Sequence, residues 1–464
     1  MQRGYLDTED AIVALATPPG EGALAVLRLA GPGAVGRLAA AFSRPAALAA
    51  CPGHAAVYGR LLGQGGEPVD EVVALVFRAP RSYTGQDGVD LMCHGGAASA
   101  ERALAALAAA GFKPALPGEF SFRAYRAGKL DLVRARAVDE LVRARTVEAH
   151  EDALRRLSGE LSAELAALRA ELLRLSAACA LRLDYGEDES PEDFAAELPA
   201  IRALAARCLA LADSYRVGRL LKEGAVVALA GKTNAGKSSL FNRLLKEERA
   251  IVSPHHGTTR DYLEAELDLR GVPVRLVDTA GLREAADPVE AEGVRRTKLL
   301  AEGADALIYL VDATRGLDPE DEAFIAAHPS ALRVWNKVDL PGTPPPPPGW
   351  VAVSAMDGRG ESALAGELAA LLLGKDEGVA ATGDGTGGAA GRTAARLSTS
   401  AQRDALLAAA RALEEAAEAG ESGLPLDALA LDLAAAQAEL AGLLGEASGE
   451  DVLDALFSNF CVGK

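Results

Sequence analysis

The chain has 464 residues, 48 basic and 66 acidic side chains for a net charge of −18, 49% apolar residues and only 4% aromatics. At about 150 residues per domain this length suggests roughly three domains with ample core. So acidic a chain is no general nucleic-acid binder, and any RNA contact needs a local basic patch or a partner's surface.

The first residues, MQRGYLDTEDAIVALATPP, are acidic, and their apolar run stops at a proline pair, which makes a poor signal peptide. Short β-rich runs follow (AIVALAT, ALAVLRLAG, VVALVF, GVDLMC) between helices and Gly/Pro turns. They predict an α/β or α+β domain over residues 1–123. Residues 124–220 change to long Ala/Leu/Arg/Glu stretches with helical spacing, broken at the acidic turn DYGEDESPED. The run 161–183 carries Glu164, Arg169, Glu171, Arg174 and Arg182, too many charges for a membrane span.

Alternation returns over 221–373. The runs GAVVALAG, VPVRLVDTAG, ALIYLVDAT, LRVWNKVD and WVAVSA read as strands of a parallel sheet with crossover helices. PGTPPPPPG, 341–349, is a stiff polyproline loop within it. Residues 374–464 open with a Gly/Ala/Thr-rich stretch, 374–394, expected to be flexible, and end in Ala/Leu helices. The expected fold is multidomain, α/β plus all-α, with the alternating domain inserted into a helical bundle. The cysteines at 51, 93, 179, 208 and 461 form no CxxC pair, which argues against a disulfide framework or zinc site and fits the cytoplasm.

The inserted domain carries phosphate chemistry. GKTNAGKSS, Gly231–Ser239, follows a strand and opens a helix, the context a phosphate-binding loop requires. Asn234, Ala235 and Gly236 form its crown. Lys237 is expected to reach the β- and γ-phosphates, and Ser238 to bind magnesium ahead of Ser239. Thr259 in GTTRD is the second candidate magnesium ligand. Asp278, Thr279, Ala280 and Gly281 form DTAG, whose aspartate holds magnesium through water and whose glycine N–H senses the γ-phosphate. Asn336, Lys337 and Asp339 lie in NKVD. The Asp339 carboxylate can accept from both N1–H and the 2-amino group of guanine, which selects GTP over ATP. Ser354 and Ala355 brace the base. After DTAG stands Leu282, which cannot orient the attacking water as a glutamine does.

Two pairs have plainer readings. His255-His256 resembles a metal pair, but adjacent side chains diverge and no third ligand is near, so a loop position is preferred. Cys93-His94 resembles a nucleophile and base, but adjacency is not a catalytic geometry.

Stretches along the whole chain resemble the MnmE (also written TrmE) family of tRNA modification GTPases. They are DAIVALATPPGEGALAVLRLAG, RSYTGQDGVDLMCHGG, PGEFSFRAYRAGKLDLVRARAVDELV, NAGKSSLFN, GTTRDYLEAEL, DTAGLRE and EDVLDALFSNFCVGK. The two ends distinguish the chain from Era-like regulatory GTPases of ribosome assembly, the alternative that the nucleotide motifs alone leave open. The resemblance implies an N-terminal folate-binding-like α/β domain that joins a homodimer, a central helical bundle, and an inserted Ras-like P-loop GTPase domain. It implies work with the flavoprotein MnmG on tRNA. Together they install an aminomethyl or carboxymethylaminomethyl group at carbon 5 of the wobble uridine, with carbon from 5-formyl-tetrahydrofolate or a related tetrahydrofolate.

By the same resemblance the folate contacts fall on Arg28, Asp90, Lys129 and Lys464, with Asp90 standing where a glutamate is usual. Cys461 matches a C-terminal cysteine, either a reactive thiol or a buried structural one. The missing glutamine is replaced by a potassium ion and a distant carboxylate. Asn234 matches the potassium-binding asparagine. The loop Ser253, Pro254, His255, His256, Gly257 and Thr258 borders the nucleotide, with Ser253, His255 and Thr258 supplying oxygens to potassium. The catalytic glutamate falls on Glu290. Thr233 and His256 depart from the usual residues without removing a ligand.

Overall fold

The computed structural model describes residues 9–185, 194–247, 264–278, 303–374, 395–445, 453 and 456–463. Two compact units form within it. One gathers the described residues of 1–139, 156–204 and 412–464, the other those of 140–155 and 205–411.

In the first unit six strands make one sheet: β1 (Ile12–Leu15), β2 (Leu24–Ala30), β3 (Ala55–Leu62), β4 (Pro68–Phe77), β5 (Gly88–His94) and β6 (Lys113–Pro114). Their order is β3-β4-β5-β2-β1-β6, antiparallel except for the β1–β6 pair. Alternation decides the buried face. Val72, Ala74 and Val76 of β4 and Leu27 and Leu29 of β2 pack against Ala103 and Leu107 of the helix Ala97–Ala109. The helix Glu160–Tyr185 buries Leu161, Leu165, Leu168, Leu172 and Leu175, spaced by threes and fours. It packs along the helix Leu426–Leu444, which buries Leu429, Leu433, Ala436 and Leu440 in the same rhythm. Helical segments before and after the inserted domain thus share one bundle, as the sequence implies. Among the described residues no helix is long and apolar enough to cross a membrane.

The second unit holds β7 (Ala225–Gly231), β8 (Glu264–Leu269), β9 (Val272–Asp278), β10 (Ala306–Asp312), β11 (Leu332–Asn336) and β12 (Val351–Val353) in the order β12-β11-β10-β7-β9-β8. Five of these are the strands read from the sequence. β8 is an addition, and it makes the sheet mixed rather than parallel throughout, since it pairs antiparallel with β9. The cause is the turn at Arg270 (φ 49°) and Gly271 (φ 93°). Two left-handed residues in a row reverse the chain in a tight hairpin, which leaves no room for a crossover.

One buried charge organises the first unit. Arg123 and Glu119, on the helix Glu119–Arg126, are each 1% exposed and paired at 2.6 Å. Arg123 also donates to Asp10 O (2.8 Å) and Gln86 Oε1 (3.0 Å), while Glu119 accepts from Leu116 N (2.8 Å). Helix, β1 entry and the 82–87 loop are locked through one guanidinium. Replacing one partner strands the other charge, at about 3–5 kcal/mol. Arg123→Ala is therefore expected to lower the thermal midpoint of the first unit's transition sharply, and calorimetry of the full chain measures it. An unchanged thermogram would show that the pair carries no such weight.

Candidate functional sites

The nucleotide motifs leave the carboxyl ends of β7, β9, β11 and β12, where a doubly wound sheet binds its ligand. In the phosphate loop Gly231 (φ 138°) and Gly236 (φ 100°) take conformations open to glycine, and a Cβ on Gly236 would collide with Asn336 Nδ2. Asn234 stands exposed at the crown, left-handed at φ 63°. Lys237 is buried, and its Nζ donates to Gly231 O (2.7 Å) and Lys232 O (2.8 Å), so the ammonium lies inside the loop it closes. Ser238 and Ser239 are exposed in the first turn of the helix Lys237–Glu247.

The base end is built around Asn336, which is 1% exposed. Its Nδ2 donates to Ala235 O (2.7 Å) and its Oδ1 accepts from Ala355 N (3.1 Å). The side chain therefore fastens the phosphate loop to the Ser354-Ala355 loop. Lys337, left-handed at φ 70°, pairs with Asp312 at 2.7 Å. Burial raises the Asp312 pKa, but hydrogen bonds from Lys337 and Thr314 outweigh it and hold the carboxyl below its ordinary value. Ser354 is fully buried, and its Oγ accepts from Asp357 N (3.2 Å). Asp339 differs from all of these. Its Oδ1 is shielded from solvent and has no hydrogen-bond partner among the described residues. A buried carboxylate oxygen without a donor fits a ligand that brings one.

The sequence offered no role for Lys232. It pairs with Asp318 and, at 3.1 Å, with Glu320. Asp318 caps the helix Pro319–Ala327 in a reciprocal capping box with Asp321. The spacing D-x-x-D was the readable signal. Ser253 through Thr259, Thr279, Ala280, Gly281, Leu282, Glu290 and Lys464 lie outside the described residues, as does the side chain of Asp278.

The first unit holds a cavity of about 360 Å³. Leu29, Ala30, Phe77, Phe120, Val138 and Leu157 make its wall apolar, and Arg28, Asp90 and Tyr83 make one side polar. Arg28 and Asp90 face each other across β2 and β5 and pair through two bonds, Nε–Oδ1 at 3.0 Å and Nη2–Oδ2 at 3.4 Å. The family resemblance implies a ligand contact for each, which this pairing does not test. Here each has the other, and Arg28 Nη1 also reaches Gly463 O at 3.4 Å. Gly463 is thus seated beside the cavity. Gly118 N donates to Cys461 O (3.4 Å), and a Cβ on Gly463 would lie 2.8 Å from Leu15 O. Lys129 runs beside Gly85, in the loop that supplies Ser82, Tyr83 and Thr84 to the wall. Tyr83 bonds Ser121 Oγ at 2.8 Å, and burial pushes its phenol up.

Cys461 is exposed and the other four cysteines are buried. Cys93 and His94 alternate faces of β5. Cys93 is 1% exposed, and burial pushes its thiol up, away from a reactive thiolate. His94 points to solvent and pairs through Nδ1 with Asp70 at 2.6 Å. Among the described residues no group of His, Cys, Asp and Glu is placed to hold a metal ion.

Two family models match the chain. One describes the GTP-binding protein TrmE N-terminus, over residues 11–129, and the other the MnmE helical domain, over 132–461. Curated relatives match from end to end. A protein of Thermus thermophilus, called tRNA modification GTPase MnmE, is 42% identical over 99% of this chain and 100% of its own length. One of the same name from Chloroflexus aurantiacus is 41% identical over 98% of this chain and 100% of its own.

Two outcomes follow from the geometry. Asp339→Ala removes an acceptor whose charged hydrogen bonds are each worth about 1.5–3 kcal/mol, so guanine-nucleotide affinity should fall roughly a hundredfold or more in a fluorescent-nucleotide titration. The hydrogen bond to Asp70 raises the His94 pKa above its ordinary 6.5. The stability from that pair is therefore complete below pH 6.5 and is lost as pH rises through the folded value. An NMR titration should place the His94 midpoint above 6.5 and return it there in Asp70→Asn.

Proposed function

The chain belongs to the MnmE (TrmE) family of tRNA modification GTPases, and from that premise we propose that it is a potassium-activated GTP hydrolase that acts with the flavoprotein MnmG on the wobble uridine of certain tRNAs. The carbon comes from a tetrahydrofolate donor, and the chain works as a homodimer in the cytoplasm. Residues 1–123 bind folate and dimerise, 221–373 hydrolyse GTP, and 124–220 with 374–464 make the helical domain.

The observation that carries the GTP reading is the orphan oxygen of Asp339 beside the Asn336 brace. Guanine offers that carboxylate two donors, and the brace sets the distance from base to phosphates. Lys237 and the N-terminal turn of the helix Lys237–Glu247 present positive charge to the phosphates. Ser238 and Thr259 would hold magnesium, and the exposed, left-handed Asn234 fits the crown position of a potassium ligand, with Ser253, His255 and Thr258. Magnesium and potassium, when bound, neutralise the charge that develops between the β- and γ-phosphates. Glu290 orients the attacking water, the task that Leu282 cannot perform.

Folate chemistry is supported by the composition of the cavity. Its apolar walls suit a pterin ring, and Asp90 places a carboxylate at the edge for the ring's amino groups. The Arg28–Asp90 pair then opens or is shared as the ligand enters, which keeps either charge from being buried alone in the apo protein. Family membership weighs against an Era-like ribosome-assembly role.

The test is GTP hydrolysis in potassium against sodium for the wild type, Asn234→Ala and Glu290→Ala. The expected result is a rate lost in sodium and in both variants. Equal rates in the two salts would sink the potassium assignment, and a fully active Glu290→Ala would remove that residue from the chemistry. Retention of 5-formyl-tetrahydrofolate by the purified protein, and loss of the modified uridine on deletion, test the remainder.

A further inference from the structure

β11 and β12 lie side by side and run parallel, with Trp335 opposite Ala352. A parallel pair needs a crossover, and the usual crossover is a helix, which holds its own shape by internal hydrogen bonds. Residues 337–350 contain no helix. They carry Asp339 and then five prolines in a row, 344–348, between Thr343 and Gly349. The shape of this connection has to come from something other than helical hydrogen bonding.

Trp335 supplies one anchor. It is 3% exposed, on the face of β11 opposite to Asn336. Its indole N–H can only donate, and prolines can only accept. The two meet where Nε1 donates to Pro344 O at 3.1 Å. Trp350 closes the far end. Its N donates to Pro347 O (3.2 Å), and its ring stands edge-on to Trp335 with centroids 5.4 Å apart. Both indoles and Val338 pack on the core that contains Tyr309 and Val311. Thr343 ties the near end. Its Oγ1 donates to Leu340 O and lies 3.4 Å from Lys337 O. Leu340 N donates to Lys337 O at 3.2 Å, so residues 337–340 form a closed turn that contains Asp339.

We propose that the polyproline segment 344–348 is a strut that sets the reach of Asp339 to the guanine base, with Trp335 and Thr343 as positioning residues. A proline ring fixes φ near −65°, so five in a row hold the distance between their two anchors nearly constant. The strut starts at the turn that carries Asp339 and ends at Trp350, directly before β12 and the Ser354-Ala355 loop. It fixes, one against the other, the two loops read as holding the base. Two hydrogen bonds to one carboxylate form together only while its plane and distance are held, because each weakens steeply with misalignment. Pro345 and Pro346 are exposed, so burial does not account for them. The inference rests on the guanine reading of Asp339 above.

The experiment competes GDP and inosine diphosphate against a fluorescent GDP analogue on the full chain. Inosine keeps N1–H and lacks the 2-amino group, so the ratio of the two dissociation constants reads the second hydrogen bond alone. The wild type should prefer GDP by about tenfold or more, the worth of one hydrogen bond to a charged group. Trp335→Phe keeps a ring and removes the donor. Pro345→Gly combined with Pro346→Gly softens the strut at exposed positions. Each should shrink the preference by about threefold or more, the lower worth of one neutral hydrogen bond. Thr343→Val should act likewise, and Thr343→Ser, which keeps the hydroxyl, should restore the preference. An unchanged ratio in the double glycine variant, which removes no buried group, overturns the strut even where Trp335→Phe does not fold. Equal weakening of both nucleotides with the ratio kept shows a role in folding alone and overturns it as well. A wild type that binds the two nucleotides alike removes the guanine reading of Asp339 itself, and is seen before any variant is made.

Discussion

An inserted domain imposes one constraint on everything around it: the chain must come back to where it left. Here the return is fastened at Ser214, whose Oγ donates to Leu211 O (2.6 Å) and accepts from Leu397 N (3.2 Å), 183 positions away in sequence. Gly218 lies so close beneath Leu397 O that any side chain there would collide with it. Closing so long a loop costs little more than closing a short one, because the entropy grows only with the logarithm of length. What the closure permits is large. The helix Leu198–Asp213 runs up to this point and Ser400–Glu421 runs away from it, and they meet again where Arg202 pairs with Glu421 at 2.6 Å.

Buried polar groups in this chain serve in different ways. Asn336 and Arg123 are buried and bonded on more than one side, each donating to an acceptor far away in sequence. They set distances, and their cost when broken is high because the orphaned partner stays buried. Asp339 is left open on one oxygen. The Arg28–Asp90 pair is intermediate, satisfied within itself but only half-buried and at the mouth of a cavity.

Much of this was legible in the residues. Strands β7, β9, β10, β11 and β12 read directly because parallel strands buried on both faces are continuous apolar runs. β8, EAELDL, did not, because an edge strand with acidic side chains on one face looks like a loop until its hairpin is seen. The part Asn336 plays as a brace between the phosphate loop and the Ser354-Ala355 loop was not readable from NKVD, since a motif names residue types and not their partners. Lys232 was passed over inside a glycine-rich loop, although its acidic partners sit in a recognisable capping box.

The sequence by itself determined the chemistry that local order can encode. Glycines at the phosphate loop, the aspartate proposed to choose guanine and the helical and strand rhythms all depend on neighbours within a few positions. The tertiary structure alone decided what depends on residues far apart. It brought Gly463 to Arg28, Arg28 to Asp90, and Thr146 to the β8–β9 turn. No spacing rule reports such meetings, because they are fixed by how two sheets and a bundle fill space, and a residue's partner there is whatever packing places within hydrogen-bond reach.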